Sequence, residues 1–266
     1  MNLQAELLAN EPRRRVVLLG ASNLTRGIST VVETAQIIWN EPLSVLVAAG
    51  HGRSYGMTTS VFGRKLPGIL ECGLWRDLAA APPGPTAVLL TDIGNDLIYG
   101  SSVETIFRWV EACLDRLSES EGTAILTGLP LEGLKSRPRW QFDLLKRLFF
   151  PSRELRYEAV IERAYQLDER LEQLAKERNI SRIVPQRAWY GWDPIHIKMQ
   201  YWGVAWHKIL SQWLNSEKIF PVARGSLRRW IYLRKLRPAE RVFWGRTQQQ
   251  SQPAGRLPGG TTIAWY

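Results

Sequence analysis

Short runs of aliphatic residues, bounded by glycine, proline or other turn-forming residues, recur along the chain. An apolar run without polar alternation is typical of a strand buried on both faces of a parallel sheet. The sequence therefore predicts buried strands at five places, residues 15–19, 44–49, 86–90, 123–127 and 182–185. Each run is rich in Val, Ile, Leu or Ala and has the length of a strand.

Between these runs, apolar residues recur at spacings of three and four, which is the periodicity of an amphipathic helix. The pattern predicts helices over residues 28–39, 103–117, 158–178 and 201–214. Strands that alternate with helices indicate an α/β fold with a parallel sheet, helices on both faces and right-handed crossovers.

Two segments do not follow this alternation. Residues 131–154 mix large apolar with basic side chains after the fourth predicted strand, so they form either a lid over a site or a surface helix with basic side chains over an apolar face. In the second segment, residues 248–255 have a glutamine-rich composition typical of disorder. We expect an α/β domain over residues 1–214 and a basic, aromatic-containing, partly disordered extension over residues 215–266.

The composition is that of a soluble globular protein, with 45% hydrophobic and 23% charged residues in a chain of 266. No apolar run approaches the length of about 18 residues that predicts a transmembrane helix. The N-terminus lacks the basic-then-apolar layout of a secretory signal, so a cytoplasmic location is the default expectation. The two cysteines, Cys72 and Cys113, show neither metal-ligand spacing nor a disulfide framework.

The net charge of +10 is concentrated near the C-terminus, because residues 215–266 hold 10 Lys and Arg but only 2 Asp and Glu. The high isoelectric point therefore does not indicate a nucleic-acid-binding body. Residues 226–237 interleave bases with Trp, Tyr and Leu. This segment either packs against the body, lies on an anionic membrane surface or binds nucleic acid, and we rank these alternatives in that order.

The first predicted strand ends at Gly20, and Ser22 follows two residues later. In an open α/β sheet, ligands bind at the carboxyl ends of the strands, which makes Ser22 a candidate nucleophile. The alternative is that Ser22 only caps the following helix.

Three further strand ends supply candidate partners for a serine nucleophile. Gly50-His51-Gly52 follows the second strand; it departs from a dinucleotide-binding fingerprint, but its glycines can present N–H groups to an anion. Asn95 follows the third strand and is either a turn former or an amide donor to an oxyanion. After the fifth strand, Asp193 precedes His196 by three residues, and its carboxylate can orient the imidazole, although such pairs are also common on surfaces.

At this point the chain resembles the SGNH (GDSL-type) hydrolase superfamily over about residues 13–214. The matching blocks are Gly20-Ala21-Ser22-Asn23, Gly50-His51-Gly52, Gly94-Asn95-Asp96 and Asp193-Pro194-Ile195-His196. The aspartate that usually precedes the serine is replaced here by Ala21. The resemblance implies a flavodoxin-like three-layer α/β/α sandwich with a five-stranded parallel sheet.

The resemblance also implies a serine ester hydrolase that needs no cofactor and no metal and acts on a small-molecule or lipid ester. Ser22, His196 and Asp193 would form its triad; Ser22, Gly52 and Asn95 would form its oxyanion hole, with Gly50 as the alternative to Gly52. An acyltransferase and a non-catalytic binding protein are the alternative functions. An α/β-hydrolase is disfavoured, because Leu24 stands where its G-x-S-x-G motif needs glycine. Trp189, Tyr190 and Trp192 face an acyl chain, stack on a sugar or belong to the core.

Overall fold

The computed structural model of the chain describes residues 14–61, 63–118, 122–135, 156–214 and 219–266. Most of the segment for which we weighed a lid against a surface helix, residues 136–154, therefore lies outside the described residues. Among the residues that are described, no helix has the length and apolar character needed to cross a bilayer.

The strands form two sheets. In chain order they are β1 (Arg14–Leu19), β2 (Leu43–Ala48), β3 (Thr59–Val61), β4 (Arg64–Leu66), β5 (Thr86–Leu90), β6 (Gly122–Thr127), β7 (Ser181–Ile183), β8 (Glu240–Phe243), β9 (Arg246–Gln249), β10 (Gly255–Arg256) and β11 (Thr262–Trp265). The main sheet has the order β10-β11-β2-β1-β5-β6-β7, and only β10 in it runs antiparallel to its neighbour. A small antiparallel sheet has the order β3-β4-β8-β9.

The helices lie between these strands along the chain. They are α1 (Ser22–Trp39), α2 (Leu74–Ala80), α3 (Asn95–Ile98), α4 (Val103–Leu117), α5 (Leu131–Lys135), α6 (Tyr157–Glu177), α7 (Trp202–Leu210) and α8 (Leu227–Lys235). The predicted α/β class and the four predicted helices are confirmed, with α1 beginning six residues earlier than the apolar periodicity indicated.

Alternate residues of β1 point to opposite sides of the main sheet, as the period of two in a strand requires. Val16 and Leu18 join a core with α1, α7 and α8, whereas Val17 and Leu19 join a core with α4 and α6. Both faces of the sheet are thus covered, which explains why its central strands are continuous apolar runs. The three-layer α/β/α arrangement is the one predicted.

The main sheet has seven strands rather than the predicted five, because residues C-terminal to 214 extend it. β11 lies parallel to β2, with Ile263 opposite Val45, and adds a strand to the edge that the five-stranded arrangement would leave unpaired. The boundary expected after Leu214 thus separates segments that pack together in the structure.

The predicted disorder at residues 248–255 is wrong for the paired part of this segment, because β9 pairs with β8 and β10 pairs with β11. The Gln250 and Gln252 amides bond to the main chain, and Gln248 Oε1 accepts a hydrogen bond from Arg241 Nε. Gln252 accepts hydrogen bonds at Oε1 from the N–H groups of Ala254 and Trp265. A polar composition indicated disorder, but the Gln252 side chain satisfies two backbone donors at the sheet edge.

Candidate active site

Ser22 is the first residue of α1 and lies directly beyond the carboxyl end of β1. The turn between them needs a glycine, because a Cβ on Gly20 would lie 2.7 Å from Thr91 Cγ2. The side chain of Ser22 is nearly buried, with 7% of the residue exposed. The hydroxyl is therefore held at the edge of the sheet where α/β proteins bind ligands.

A carboxylate from the neighbouring strand end caps α1. Asp92 Oδ2 accepts hydrogen bonds from the N–H groups of Ala21, Asn23 and Leu24 at 2.9, 3.0 and 3.2 Å. The N-cap residue Ala21 has no side chain that could do this. Asp92 accepts from donors on both sides of Ser22 and not from Ser22 itself, and its negative charge faces the positive end of the helix dipole.

The three residues predicted as a triad are brought together in one hydrogen-bonded chain. His196 Nε2 lies 2.9 Å from Ser22 Oγ, and His196 Nδ1 lies 2.5 Å from Asp193 Oδ2. The other oxygen of Asp193 accepts the N–H groups of Ile195 and His196, which fixes the loop that bears both residues. A ring that donates from Nδ1 to a carboxylate presents Nε2 as the acceptor for the serine proton.

The electrostatics keep Asp193 ionised. Burial raises the pKa of its carboxyl, but the hydrogen bond and charge of His196, with the N–H groups of Ile195 and His196, outweigh burial and lower the net pKa below its ordinary value. A carboxylate that stays charged stabilises a positive imidazolium ring, which is the state that forms when His196 takes a proton.

Asn23 joins this loop to the cap of α1. Its Nδ2 donates to Asp92 Oδ1 at 2.7 Å and to the Ile195 carbonyl at 2.8 Å, while its Oδ1 accepts the Ile197 N–H at 2.8 Å. The roles of Asn23 and Asp92 in the site were not predicted from the sequence. A signal was present, because both are polar residues at strand ends, Asn23 directly after Ser22 and Asp92 three residues before Asn95.

Gly52 and Asn95 follow β2 and β5, the two strands that flank β1 in the sheet, so both lie at the same edge as Ser22. Gly52 has a φ of +64°, and a Cβ there would lie 2.6 Å from the Tyr99 hydroxyl, so only glycine fits without strain. The Tyr99 hydroxyl donates to the Gly52 carbonyl at 2.6 Å and holds the loop. Gly50 does not have a positive φ, and its carbonyl accepts the Arg53 N–H.

Asp96 anchors the same loop from below. It is fully buried, and its Oδ2 accepts the Tyr55 N–H at 2.9 Å. Burial raises the pKa of Asp96 to about 6, although hydrogen bonds from the Ser54 side chain and the Tyr55 N–H act in the opposite direction. A buried carboxyl is thus used to fix the backbone that follows Gly52.

The aromatic residues before Asp193 have different environments. Trp189 belongs to the core with 1% exposed, whereas Trp192 is 55% exposed. A cavity of about 730 Å³ lies beside this loop. Its lining comprises Gly133, Arg187, Ala188, Tyr190, Gly191, Trp192, Lys198 and Tyr201. Trp189 is therefore a packing residue, Tyr190 packs in the same core where it lines the cavity, and Trp192 is exposed and available to contact a ligand.

Within the described ranges, no group of three or more His, Cys, Asp or Glu side chains could hold a metal ion. The chemistry at this edge of the sheet is instead that of a hydroxyl beside an imidazole, with backbone and amide donors on the strand ends to either side.

No family model matches the sequence. No curated protein matches it. Solved structures do resemble it, among them the native aryl esterase of M. smegmatis, which is 13% identical with a TM-score of 0.50 and covers 76% of this chain and 100% of its own. A lipolytic protein of the G-D-S-L family from Veillonella parvula is 15% identical, with a TM-score of 0.48 and coverage of 74% and 97%. A carbohydrate acetylesterase family member from Sinorhizobium meliloti is 13% identical, with a TM-score of 0.49 and coverage of 74% and 95%.

At these identities the likeness concerns the fold alone. The mostly parallel sheet and the helices on both of its faces agree with that likeness. We conclude that the chain has the three-layer fold of the SGNH (GDSL-type) hydrolases.

Proposed function

We propose that the protein is a serine ester hydrolase in which Ser22 is the nucleophile. The observation that supports this most directly is the hydrogen-bonded chain from Ser22 Oγ through His196 to Asp193, with lengths of 2.9 and 2.5 Å. A serine hydroxyl is weakly nucleophilic unless a base takes its proton, and the imidazole is in position to do so.

The proposed reaction has two steps. Ser22 Oγ bonds to the ester carbonyl carbon while His196 Nε2 takes the hydroxyl proton, and the alcohol then leaves with that proton. Water attacks the acyl-serine with His196 again as the base, and the acid is released as the Ser22 hydroxyl is restored. In both steps the N–H groups of Ser22 and Gly52 and the Asn95 amide stabilise the negative oxygen.

A fluorophosphonate probe tests this proposal, since it bonds to an activated serine. We expect the wild-type protein to be labelled and to hydrolyse a short p-nitrophenyl ester, and Ser22→Ala to lose both, with a fall in kcat of about 10⁴-fold or more. Ser211→Ala is the matched control, because the Ser211 hydroxyl only donates to the Lys208 carbonyl.

Labelling that persists in folded Ser22→Ala at another residue would show that Ser22 is not the nucleophile. A wild-type protein that neither labels nor hydrolyses any ester in a panel of acyl lengths would favour a binding protein on this scaffold. If an added alcohol receives the acyl group in preference to water, the same residues serve acyl transfer instead.

A further inference from the structure

Three arginines from different parts of the chain gather around His51 at the rim of the candidate site. Arg26 lies on α1, Arg64 on β4 and Arg234 on α8. We call these four residues the His51 arginine cluster. Because Arg26 is four residues after Ser22 on the same helix, its side chain lies on the face that Ser22 occupies, one turn away.

Arg234 makes the direct contact within the cluster. Arg234 Nη1 lies 3.3 Å from His51 Nε2. A guanidinium can only donate, so Nε2 accepts, and His51 is a neutral ring with its proton on Nδ1. Arg64 Nη2 approaches the same loop, 3.4 Å from where a Cβ on Gly50 would lie.

Arg234 is held by the docking of α8 on α1. Its guanidinium lies over the ring of Trp230, 4.9 Å from the centroid. Trp230 Nε1 in turn donates to the Arg26 carbonyl at 2.9 Å. A stacked guanidinium is oriented before a ligand arrives, which reduces the entropy lost on binding.

The positive charges act on one another and on the site. Burial lowers the pKa of His51 to about 4, and the charges of Arg234, Arg64, His196 and Arg26 add to this effect. Burial also lowers the pKa of Arg64, with contributions from Arg234 and other arginines. His196, when protonated, is among the charges that act on His51, so the cluster lies within electrostatic reach of the imidazole of the candidate site.

These charges have no acidic partner in the described part of the chain. No carboxylate oxygen there lies within ion-pair distance of the guanidinium of Arg26, Arg64 or Arg234. A neighbouring arginine does have a partner: Arg229, also on α8, pairs with Glu33 at 3.2 Å. Arg26 and Arg64 are partly buried, whereas Arg234 is exposed. A cluster of cations without a counter-charge is unfavourable unless an anion joins it.

We propose that the substrate of this site carries a phosphate group, which the His51 arginine cluster binds while Ser22 attacks the ester. The proposal rests on the proposed function for the identity of the reacting serine. The phosphate is bound intact and takes no part in bond formation. His51 lies next to Gly52, so the bound phosphate sits beside the oxyanion hole.

The count of charges favours phosphate over carboxylate. A phosphate monoester has up to two negative charges and three free oxygens, which match the paired N–H groups of more than one guanidinium. The neutral His51 ring leaves Nδ1–H as a further donor. A carboxylate, with one charge and two oxygens, would leave most of the cluster without a partner.

The first test measures binding without catalysis. Wild-type full-length protein is titrated calorimetrically with glycerol 3-phosphate and with glycerol. We expect only the phosphate to bind, and we expect Arg234→Gln to weaken this binding about tenfold. Arg228→Gln is the matched control, because Arg228 is exposed on the same helix and its substitution removes the same charge. Arg26→Gln is a second variant, should Arg234→Gln disturb the docking of α8.

The second test measures selectivity. The ratio of kcat/KM for the acetyl ester of glycerol 3-phosphate to that for the acetyl ester of glycerol should exceed about ten in the wild type. It should fall towards one in Arg234→Gln and remain high in Arg228→Gln. Equal ratios in these two variants, or a wild-type ratio near one, would overturn the proposal.

The outcomes separate the two proposals and the two sources of phosphate. Arginine-dependent binding of glycerol 3-phosphate without hydrolysis of any ester would support the phosphate site and contradict the hydrolase. Ser22-dependent hydrolysis without phosphate selectivity would support the hydrolase and contradict the phosphate site.

Phosphatidylcholine vesicles with and without phosphatidic acid distinguish a lipid source of the phosphate from a soluble one. Arg234-dependent binding to phosphatidic acid would identify a lipid headgroup, and binding to neither probe would overturn the phosphate site.

Discussion

Asn95 is the residue on which the oxyanion proposal depends most, because it contributes a side chain that can be altered. It begins α3 directly after Gly94, and its N–H lies 3.4 Å from the Asp92 carbonyl. The backbone of Asn95 is therefore tied to the same strand end that caps α1.

We expect Asn95→Ala to lower kcat by about 10²-fold and to change KM little, because an oxyanion donor acts mainly in the transition state. Asn95→Asp has the same size but cannot donate, and it should lose at least as much. Steady-state kinetics on a short p-nitrophenyl ester measure both effects. If KM alone rises, Asn95 contacts the substrate and does not stabilise the oxyanion.

Asp96, the next residue, gives a prediction about pH. Its pKa is raised from 3.8 to about 6 in the folded protein, so the folded state holds the proton more tightly than the unfolded chain does. Below the unfolded-state value the carboxyl is protonated in both states and costs nothing. As the pH rises from about 4 to above 6, the unfolded chain loses the proton first, and the folded state becomes less stable by about 3 kcal/mol.

The substitution Asp96→Asn removes this titration. The free energy of unfolding of the wild type minus that of Asp96→Asn should therefore fall by about 3 kcal/mol between pH 4 and pH 7. Urea unfolding at a series of pH values measures it, with Glu132→Gln, an exposed carboxylate, as the control. If the difference in the free energy of unfolding does not change with pH, burial does not raise the pKa of Asp96.

At the scale of elements, the start of α1 depends on Asp92. One carboxylate, that of Asp92, accepts three backbone N–H groups at Oδ2 and the Asn23 side-chain amide at Oδ1. The backbone of Asp92 has a φ of +61°. Left-handed backbone at a non-glycine residue is unfavourable by about 1 kcal/mol, and it persists here because the cap compensates for it.

We expect Asp92→Gly to lower the free energy of unfolding by about 1–3 kcal/mol, because it leaves the cap donors without an acceptor while adding no left-handed strain. Asp92→Asn keeps one oxygen acceptor and should lose less. Both variants should also lower kcat, since Asn23 connects Asp92 to the loop of His196. Urea unfolding combined with ester kinetics tests this, and a stable but inactive Asp92→Gly would mean that Asp92 acts on the reaction and not on the helix.

At the scale of the whole molecule, the C-terminal residues complete the main sheet. Ile263 of β11 is fully buried, and Leu233 of α8 belongs to the same core. Arg53, directly after Gly52, is buried and donates from Nη1 to the main-chain oxygen of Tyr266. The loop at the site and the last strand thus support each other.

Two isoleucines from this region provide a matched test. Ile263→Ala should lower the free energy of unfolding by about 2–5 kcal/mol, because it leaves a cavity beside β2. Ile231→Ala, at a position 41% exposed on α8, should cost less than about 1 kcal/mol. Urea unfolding compares them. Equal, small effects would show that residues after 214 do not fold against the rest of the chain.

The sequence by itself determined the α/β class, the alternation of the central strands with helices along the chain, and which strand ends Ser22, Gly52, Asn95 and His196 follow. These features are local, because an apolar run followed by glycine defines a strand end whatever the distant residues do. Parallel strands then bring their carboxyl ends to one edge, so residues far apart in the chain could be predicted to meet.

Only the tertiary structure decided which side chains bond across that edge. Asn23 meets Ile197 across 174 residues, and Arg234 meets His51 across 183, and neither pairing leaves a periodic signal in the sequence. The place of β11 beside β2 was equally hidden, because a short strand in a polar, basic segment resembles a disordered tail until an unpaired sheet edge offers it backbone partners. Long-range hydrogen bonding, rather than local preference, thus completed both the sheet and the surroundings of Ser22.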